Sequence, residues 1–384
     1  PIRLILLFSL PLMLGSVFQQ LYTIVDTIII GRGVGMQALA SIGAADWINW
    51  LVLWGLQSFT QGFAILAAQE FGAGAYDRLR RVLAMIVKLS CWFGIAVTII
   101  SLLLVRPLLT LLHTDPAVFG GAQTYLYVQF GGSLIIIAYN MAVAVLRCLG
   151  DSRTPLFAII AASFANIALD LLFVMGFGWG IFGASFATVL AQLIAFLLCL
   201  RSLRRLPFVQ LTKADWKTDP AILLHLCRLG IPTGLQMSMI TLGGMVLQSV
   251  LNGFGVVFVA GYTAANKLYG ILESASVAFG YAMTAYMGQN RGARNAARID
   301  AGIRAVLVLS AEFTTAIVTA MLLAGKPLLG LFLSTEEAGA ADALAVAYQY
   351  LMVLMAFLFA LFMLQAYRSS LQGLGEMTVP TLSG

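Results

Sequence analysis

Asp26, Asp46, Asp170, Glu273 and Glu312 are the five carboxylates of this 384-residue chain that fall inside long apolar runs. An acid in hydrocarbon is costly, so each of them is a candidate for handling an ion or a proton. Asn166 precedes Asp170 by four residues, which on a helix puts both on one face. The segment Gly176-Phe177-Gly178-Trp179-Gly180 reads as a turn, with Asp170 nine residues before its centre and Thr188 nine after. In an antiparallel hairpin the two therefore share a depth, ~13 Å in from the turn. Asp26, about eight residues before the Arg32-Gly33-Val34 turn, reaches a similar level on the first run. Two carboxylates, an amide and a hydroxyl in one layer offer hard oxygens suited to Na⁺. The same two carboxylates, close together in low dielectric, could instead hold a proton between them near neutral pH. Polar residues in membrane helices also bond helices together, which is enough to explain Asn166 or Thr188 alone. Burying two separate acids costs too much for that purpose and favours a cation site.

The other polar groups give weaker signals. Lys267 and Glu273 are six residues apart, on different faces of one helix, so no direct pair is expected. With Gln20 they are candidates for lining a substrate cavity. Asp46 lies in the outer third of its run, where water can reach it, and Glu312 has no evident partner; neither is given a role. His113 and His225 fall near opposite ends of the molecule. With no His/Asp/Glu cluster, Gly-x-x-x-x-Gly-Lys loop or nucleophile motif, neither an enzyme nor an ATP-driven pump is indicated, and no cofactor is expected. Cys91, Cys148, Cys199 and Cys227 are widely spaced and read as small core residues.

These residues need a frame, and composition says which kind. The chain is 61% hydrophobic and only 10% charged, against about 25% in soluble domains, which excludes a water-soluble globule. Apolar stretches long enough to cross ~30 Å of hydrocarbon recur ten times. They cover roughly 2–30, 38–68, 79–105, 117–146, 154–176, 181–201, 220–252, 257–287, 299–325 and 343–371. They lack the alternation of barrel strands, so helices are predicted. Of the 22 basic residues, 17 fall on one side, among them Arg78, Arg80, Arg81, Arg147 and Arg201, whereas Lys88 and Lys267 fall inside predicted spans. That basic side is expected to be cytoplasmic, with the N-terminus on it. The net charge of +6 thus points to lipid headgroups, not nucleic acid.

The chain also repeats itself. Arg106-Pro107-Leu108-Leu109 returns as Lys326-Pro327-Leu328-Leu329, and Gln69-Glu70-Phe71-Gly72 as Gln289-Asn290-Arg291-Gly292, both at an offset of 220. Leu149-Gly150-Asp151 pairs with Leu374-Gly375-Glu376 at 225, and Leu10-Pro11 with Ile231-Pro232 at 221. One repeat holds six helices, an even number, so the copies enter the membrane from the same side. The predicted fold class is an all-α polytopic membrane protein, two parallel six-helix repeats forming a two-lobed transporter. Residues 1–205 would form the N-terminal lobe, 206–219 a cytoplasmic linker, and 220–384 a C-terminal lobe with helices 7–10 and the start of an eleventh. Twelve helices are expected in a complete bundle, about ten of them covered here, with residues missing at both ends.

Three motifs resemble the multidrug and toxic compound extrusion (MATE) family: LFSLPLMLGSVFQQLYTIVDTIIIGRGVG from Leu7 to Gly35, the pair QEFGAG from Gln69 and GQNRGA from Gly288, and LGDSRTP from Leu149 to Pro155. The resemblance spans the chain and is of a bacterial type whose coupling site is in the N-terminal lobe. It implies a plasma (inner) membrane antiporter exporting organic, cationic or aromatic compounds in exchange for H⁺ or Na⁺, as a monomer among lipids. It also implies that Asp26, Asn166, Asp170 and Thr188 bind the coupling cation, joined by Tyr125 and Asn140. These last two lie fifteen residues apart, ~22 Å along a straight helix, too far to touch one ion together. Helix 7 offers only Gln236 and Gln248, and helix 10 only Gln349 and Gln365, so no coupling site is expected in the second lobe. Pro11 removes a backbone hydrogen bond from the first helix and is expected to act as its hinge. A lipid-linked oligosaccharide flippase is the alternative; it would want a basic cavity, and only Lys267 lies in the middle of a span.

Overall fold

The computed structural model describes residues 1–332 and 340–383, and every regular element among them is helical. The long helices are α1 (Ile2–Gly33), α2 (Met36–Gly72), α3 (Tyr76–Leu111), α4 (Pro116–Gly131), α5 (Ser133–Cys148), α6 (Arg153–Asp170), α7 (Gly180–Arg204), α8 (Pro220–Asn252), α9 (Val256–Gly292), α10 (Ala296–Gly330) and α11 (Ala340–Gly373). A short α12 (Thr378–Leu382) follows. Eight of these helices, α6 taken together with its π-helical extension, are long and apolar enough to cross a membrane individually, and α4 with α5 makes a ninth, broken span. The predicted fourth span, 117–146, is thus bent by 51°, at Gly132, where a Cβ would collide with Val189 at 2.6 Å. The predicted eighth span, 257–287, lies in α9, which is 37 residues long, as is α2, but is not among these nine; it carries Lys267 and Glu273 within it.

The duplication is visible in the backbone. Gly35 (φ 110°) and Gly255 (φ 89°) open α2 and α9, and Gly150 (φ 90°) and Gly375 (φ 79°) end the turns after α5 and α11. These left-handed values suit glycine because it has no Cβ. At a third pair the residue type differs: Gly74 (φ 68°) is matched by Arg294 (φ 52°). Pro11 and Pro232 both lie inside unbroken helices, α1 and α8.

Two main apolar cores hold the bundle. One gathers Phe63, Leu79, Val82, Met85 and Leu146 of the first half; the other gathers Phe279, Met283, Leu309, Leu351 and Phe362 of the second. The first helix of each repeat crosses over. Ile5 of α1 is buried in the second core, while Ile222, Leu226 and Leu229 of α8 are buried in the first. Glycines permit this crossing. A Cβ on Gly62 would lie 2.6 Å from the Gly230 Cα, so α2 and α8 touch backbone to backbone.

Lys88 lies within α3, inside a membrane-crossing helix as expected, and its ammonium reaches out of the bundle to donate to the Trp216 carbonyl and, at 2.8 Å, to Thr218 Oγ1. That contact docks the linker, whose 3-10 turns are Pro207–Val209 and Lys213–Trp216. Thr212 and Asp215 form a capping box there, with Thr212 N and Oγ1 both donating to Asp215 Oδ2 at 2.7 Å. Burial pushes the Asp215 carboxyl up, but the Thr212 hydrogen bonds and the charges of Arg80 and Arg81 outweigh it and hold it below its usual range. Among the cysteines, Cys148 and Cys199 are buried as expected, whereas Cys91 is exposed.

Candidate functional site

The register between α1 and α6 sets the site. These helices run in the same direction, with Gly15 packed on Ile159 and Gly33 on Val174. Asp26 is eleven residues beyond Gly15 and Asp170 eleven beyond Ile159, so the two acids arrive level. Their carboxyl groups are near enough to act on one another electrostatically. Asp170 is fully buried and Asn166 almost so, while Asp26 is half-buried. No Lys or Arg side chain forms an ion pair with either acid among the described residues. Asp26 Oδ1, both oxygens of Asp170, and the Asn166 amide oxygen and nitrogen are buried without a hydrogen-bond partner. Immediately after Asp170 the helix widens into a π-helical stretch, Leu171–Gly176, a distortion often found at functional sites.

Thr188 reaches this level from α7. Gly183 packs on Phe173, so five residues further on Thr188 comes abreast of Ala168, between Asn166 and Asp170. Its hydroxyl donates to the Ala184 carbonyl at 3.2 Å, which leaves its lone pairs free. The four-oxygen donor set is hard and suits Na⁺, and the same acid pair could hold one proton. Among the described residues no three His, Cys, Asp or Glu side chains converge as a transition-metal cluster.

Tyr125 and Asn140 lie on opposite arms of the broken span. The Tyr125 hydroxyl accepts from Asn49 Nδ2 at 3.3 Å and lies within the fields of Asp46, Asp26 and Tyr22. Asn140 instead donates to the Ile136 carbonyl at 2.9 Å and lines a cavity of about 90 Å³ toward the basic end, with Pro11, Gln19 and Arg147. Two features escaped the sequence reading. Tyr22, one turn before Asp26, feels both Asp26 and Asp170; its i, i+4 spacing from Asp26 was the available signal. Arg147 does not extend away as a loop anchor: its guanidinium stacks over Tyr281 of α9 at 4.4 Å.

Among the substrate-cavity candidates, Lys267 and Gln20 are exposed and Glu273 is half-buried. Lys267 and Glu273 form no ion pair within the described set. At the basic end the repeats are joined by reciprocal contacts. Gln69 donates to the Gly373 carbonyl at 3.1 Å and Gln289 to the Cys148 carbonyl at 2.7 Å. A Cβ on Gly72 would lie 2.0 Å from the Gln289 carbonyl oxygen, and one on Gly292 1.8 Å from that of Gln69. Nearer the middle of the bundle, Gln57 Nε2 donates to the Tyr281 hydroxyl at 3.3 Å.

The family model MatE matches the chain twice, over residues 11–172 and 232–383. A curated relative, the probable multidrug resistance protein YpnP of Bacillus subtilis, is 33% identical over 357 residues, covering 91% of this chain and 77% of that protein. The probable multidrug resistance protein NorM of Thermotoga maritima is 26% identical over 338 residues, covering 86% and 72%. A solved MOP superfamily transporter from Pyrococcus furiosus shares the fold, with a TM-score of 0.92 at 24% identity over 100% of this chain and 84% of that one.

Proposed function

This chain belongs to the MatE family of membrane transporters, and from that premise we propose that it is a secondary antiporter exporting organic, cationic or aromatic compounds in exchange for Na⁺ or H⁺. The observation that carries this reading is the Asp26–Asp170 pair, level inside the bundle and joined in no ion pair with a Lys or Arg side chain among the described residues. Such a pair holds a cation or a proton at low cost and stays doubly ionised only at high cost. Substrate takes the cleft between the lobes, residues 1–205 and 220–384. The basic end faces the cytoplasm of a bacterial cell, with the N-terminus inside and the protein acting as a monomer among lipids.

α1 connects the two events. Its outer half carries Asp26 to Asp170, and its inner end is anchored by Ile5 in the core of the other lobe. Pro11 lies between them and lacks the N–H that would bond the Leu7 carbonyl, so α1 bends most easily there. Cation binding at Asp26 and Asp170 removes their mutual repulsion and draws α1 toward α6, and the bend transmits this to the other lobe. The test is ethidium exchange in proteoliposomes under an imposed Na⁺ or pH gradient. One gradient is expected to drive exchange, with Asp26→Asn and Asp170→Asn each lowering it more than about tenfold, the size of an essential charge's contribution. Full exchange by either variant refutes the mechanism.

A further inference from the structure

One face of α2 is absorbed by neither the coupling site nor the packing. At 100° per residue, Asp46, Trp50, Trp54, Gln57 and Gln61 fall within an arc of ~80°. Gln57 fixes where that arc looks, because it bonds Tyr281 on α9, across the cleft between the repeats. Nearer the end opposite the basic loops, Trp50 and Trp54 are 43% and 44% exposed, large for tryptophans beside a carboxylate. They stack on one another with centroids 5.7 Å apart and planes 11° from parallel, and Trp47 meets Trp50 edge-on at 5.6 Å. Asp46 is half-buried one turn above Trp50 and forms no ion pair within the described set. A lipid-facing role fits the two indoles but not the acid and the two glutamines that share their face.

The repeat shows what stands opposite. At the offset of 220, Trp47, Trp50 and Trp54 correspond to Lys267, Gly270 and Ser274 of α9, on the face that carries Tyr281. A Cβ on Gly270 would meet nothing within 4 Å, so there is open space on that wall. The cleft is therefore asymmetric, with an aromatic, acidic wall on α2 and a small-residue wall on α9. On this stretch of α9 Lys267 is exposed, while Glu273, six residues on and turned to a different face, is half-buried.

We propose that this face of α2 binds flat aromatic cations, Trp50 and Trp54 stacking on the ring system and the Asp46 carboxylate countering the charge. Indole faces attract cations electrostatically and offer flat apolar area, and Lys267 repels the charge toward α2. The proposal rests on the export reading for its ligand class but is independent of the coupling mechanism. The experiment is equilibrium binding to purified wild-type protein, with ethidium as the cation and phenanthridine as its uncharged ring system. Trp50→Ala and Trp54→Ala are each expected to weaken ethidium about tenfold, and Trp50→Phe, which keeps an aromatic face, by only about threefold. Asp46→Asn is expected to weaken ethidium about tenfold and to leave phenanthridine within about twofold. The proposal is overturned if the alanine variants bind ethidium as tightly as wild type, if Asp46→Asn weakens both ligands equally, or if folded wild type shows no saturable ethidium binding. Asp170→Asn separates the two readings. Loss of exchange with ethidium affinity retained bears on coupling alone, and loss of binding in the tryptophan variants bears on this site alone.

Discussion

Placing a methyl group at Gly292 should open the basic end of the cleft. The Cβ of Gly292→Ala would lie 1.8 Å from the Gln69 carbonyl oxygen, part of a helix backbone that cannot rotate away. Restoring an ordinary contact of roughly 3.2 Å parts α2 and α9 by about 1.4 Å. The Gln69–Gly373 and Gln289–Cys148 hydrogen bonds, now 3.1 and 2.7 Å, would then stretch beyond bonding distance. At about 1 kcal/mol each, their loss shifts the closed state by about 2 kcal/mol, roughly thirtyfold in population. Cys148 is a native reporter: it is 4% exposed and packs with Ala64, Ala68 and Ala144, and Ala68 in turn touches Gly288. In a background with the other three cysteines replaced by serine, Gly292→Ala should raise the rate of Cys148 alkylation by about the same factor. The pair Gln69→Leu and Gln289→Leu removes the two hydrogen bonds without adding bulk at the glycines and should act in the same direction. If both proteins fold with wild-type melting temperatures and Cys148 reacts no faster, these contacts do not hold the cleft shut.

Arg294 occupies a left-handed position, φ 52°, that the first repeat fills with Gly74. Arg294→Gly should therefore raise stability by about 0.5 kcal/mol, read as a small increase in melting temperature, and Gly74→Ala should lower it by about 1 kcal/mol. The linker should show a defined pH dependence. Because the Asp215 carboxyl is held below its ordinary range, it supports linker docking fully above about pH 4 and loses that support as the pH falls through its lowered value. Hydrogen exchange of residues 207–216 should accordingly be faster in Asp215→Asn than in wild type at pH 7, and the two should converge on acidification; equal rates at pH 7 contradict the assigned role.

The helices were legible because lipid imposes them. A run of ~20 apolar residues has few options in a bilayer, and two copies of the pattern reinforced each other. Residue counting also placed Asp170 level with Thr188, since a short turn leaves an antiparallel hairpin little freedom. What could not be read depended on contacts between distant helices. The bend at Gly132 arises where Val189 approaches, and nothing within 117–146 encodes that approach beyond a Gly-Gly pair. Arg147 sits at the end of an apolar run, which reads as a place on the basic side, yet an arginine side chain reaches several ångströms, far enough to find Tyr281 of α9.

The repeat held more information than was taken from it. Gln69 and Gln289 match at 220, and their acceptors Cys148 and Gly373 match at 225, so either contact implies the other once the copies are related by an axis along the membrane normal. The same comparison separates machinery from chemistry. Where the copies agree, at Gln69, Gly72 and Gly150, they build a closure that both lobes share. Where they diverge, Asp26 answers to Leu247, Asp46 to Asn266 and Trp50 to Gly270, and each acid or indole lies in the first copy. A two-lobed carrier needs matched surfaces to close and an unmatched pair of walls to bind something, so positions of disagreement between the repeats are where ion and substrate chemistry should be sought first.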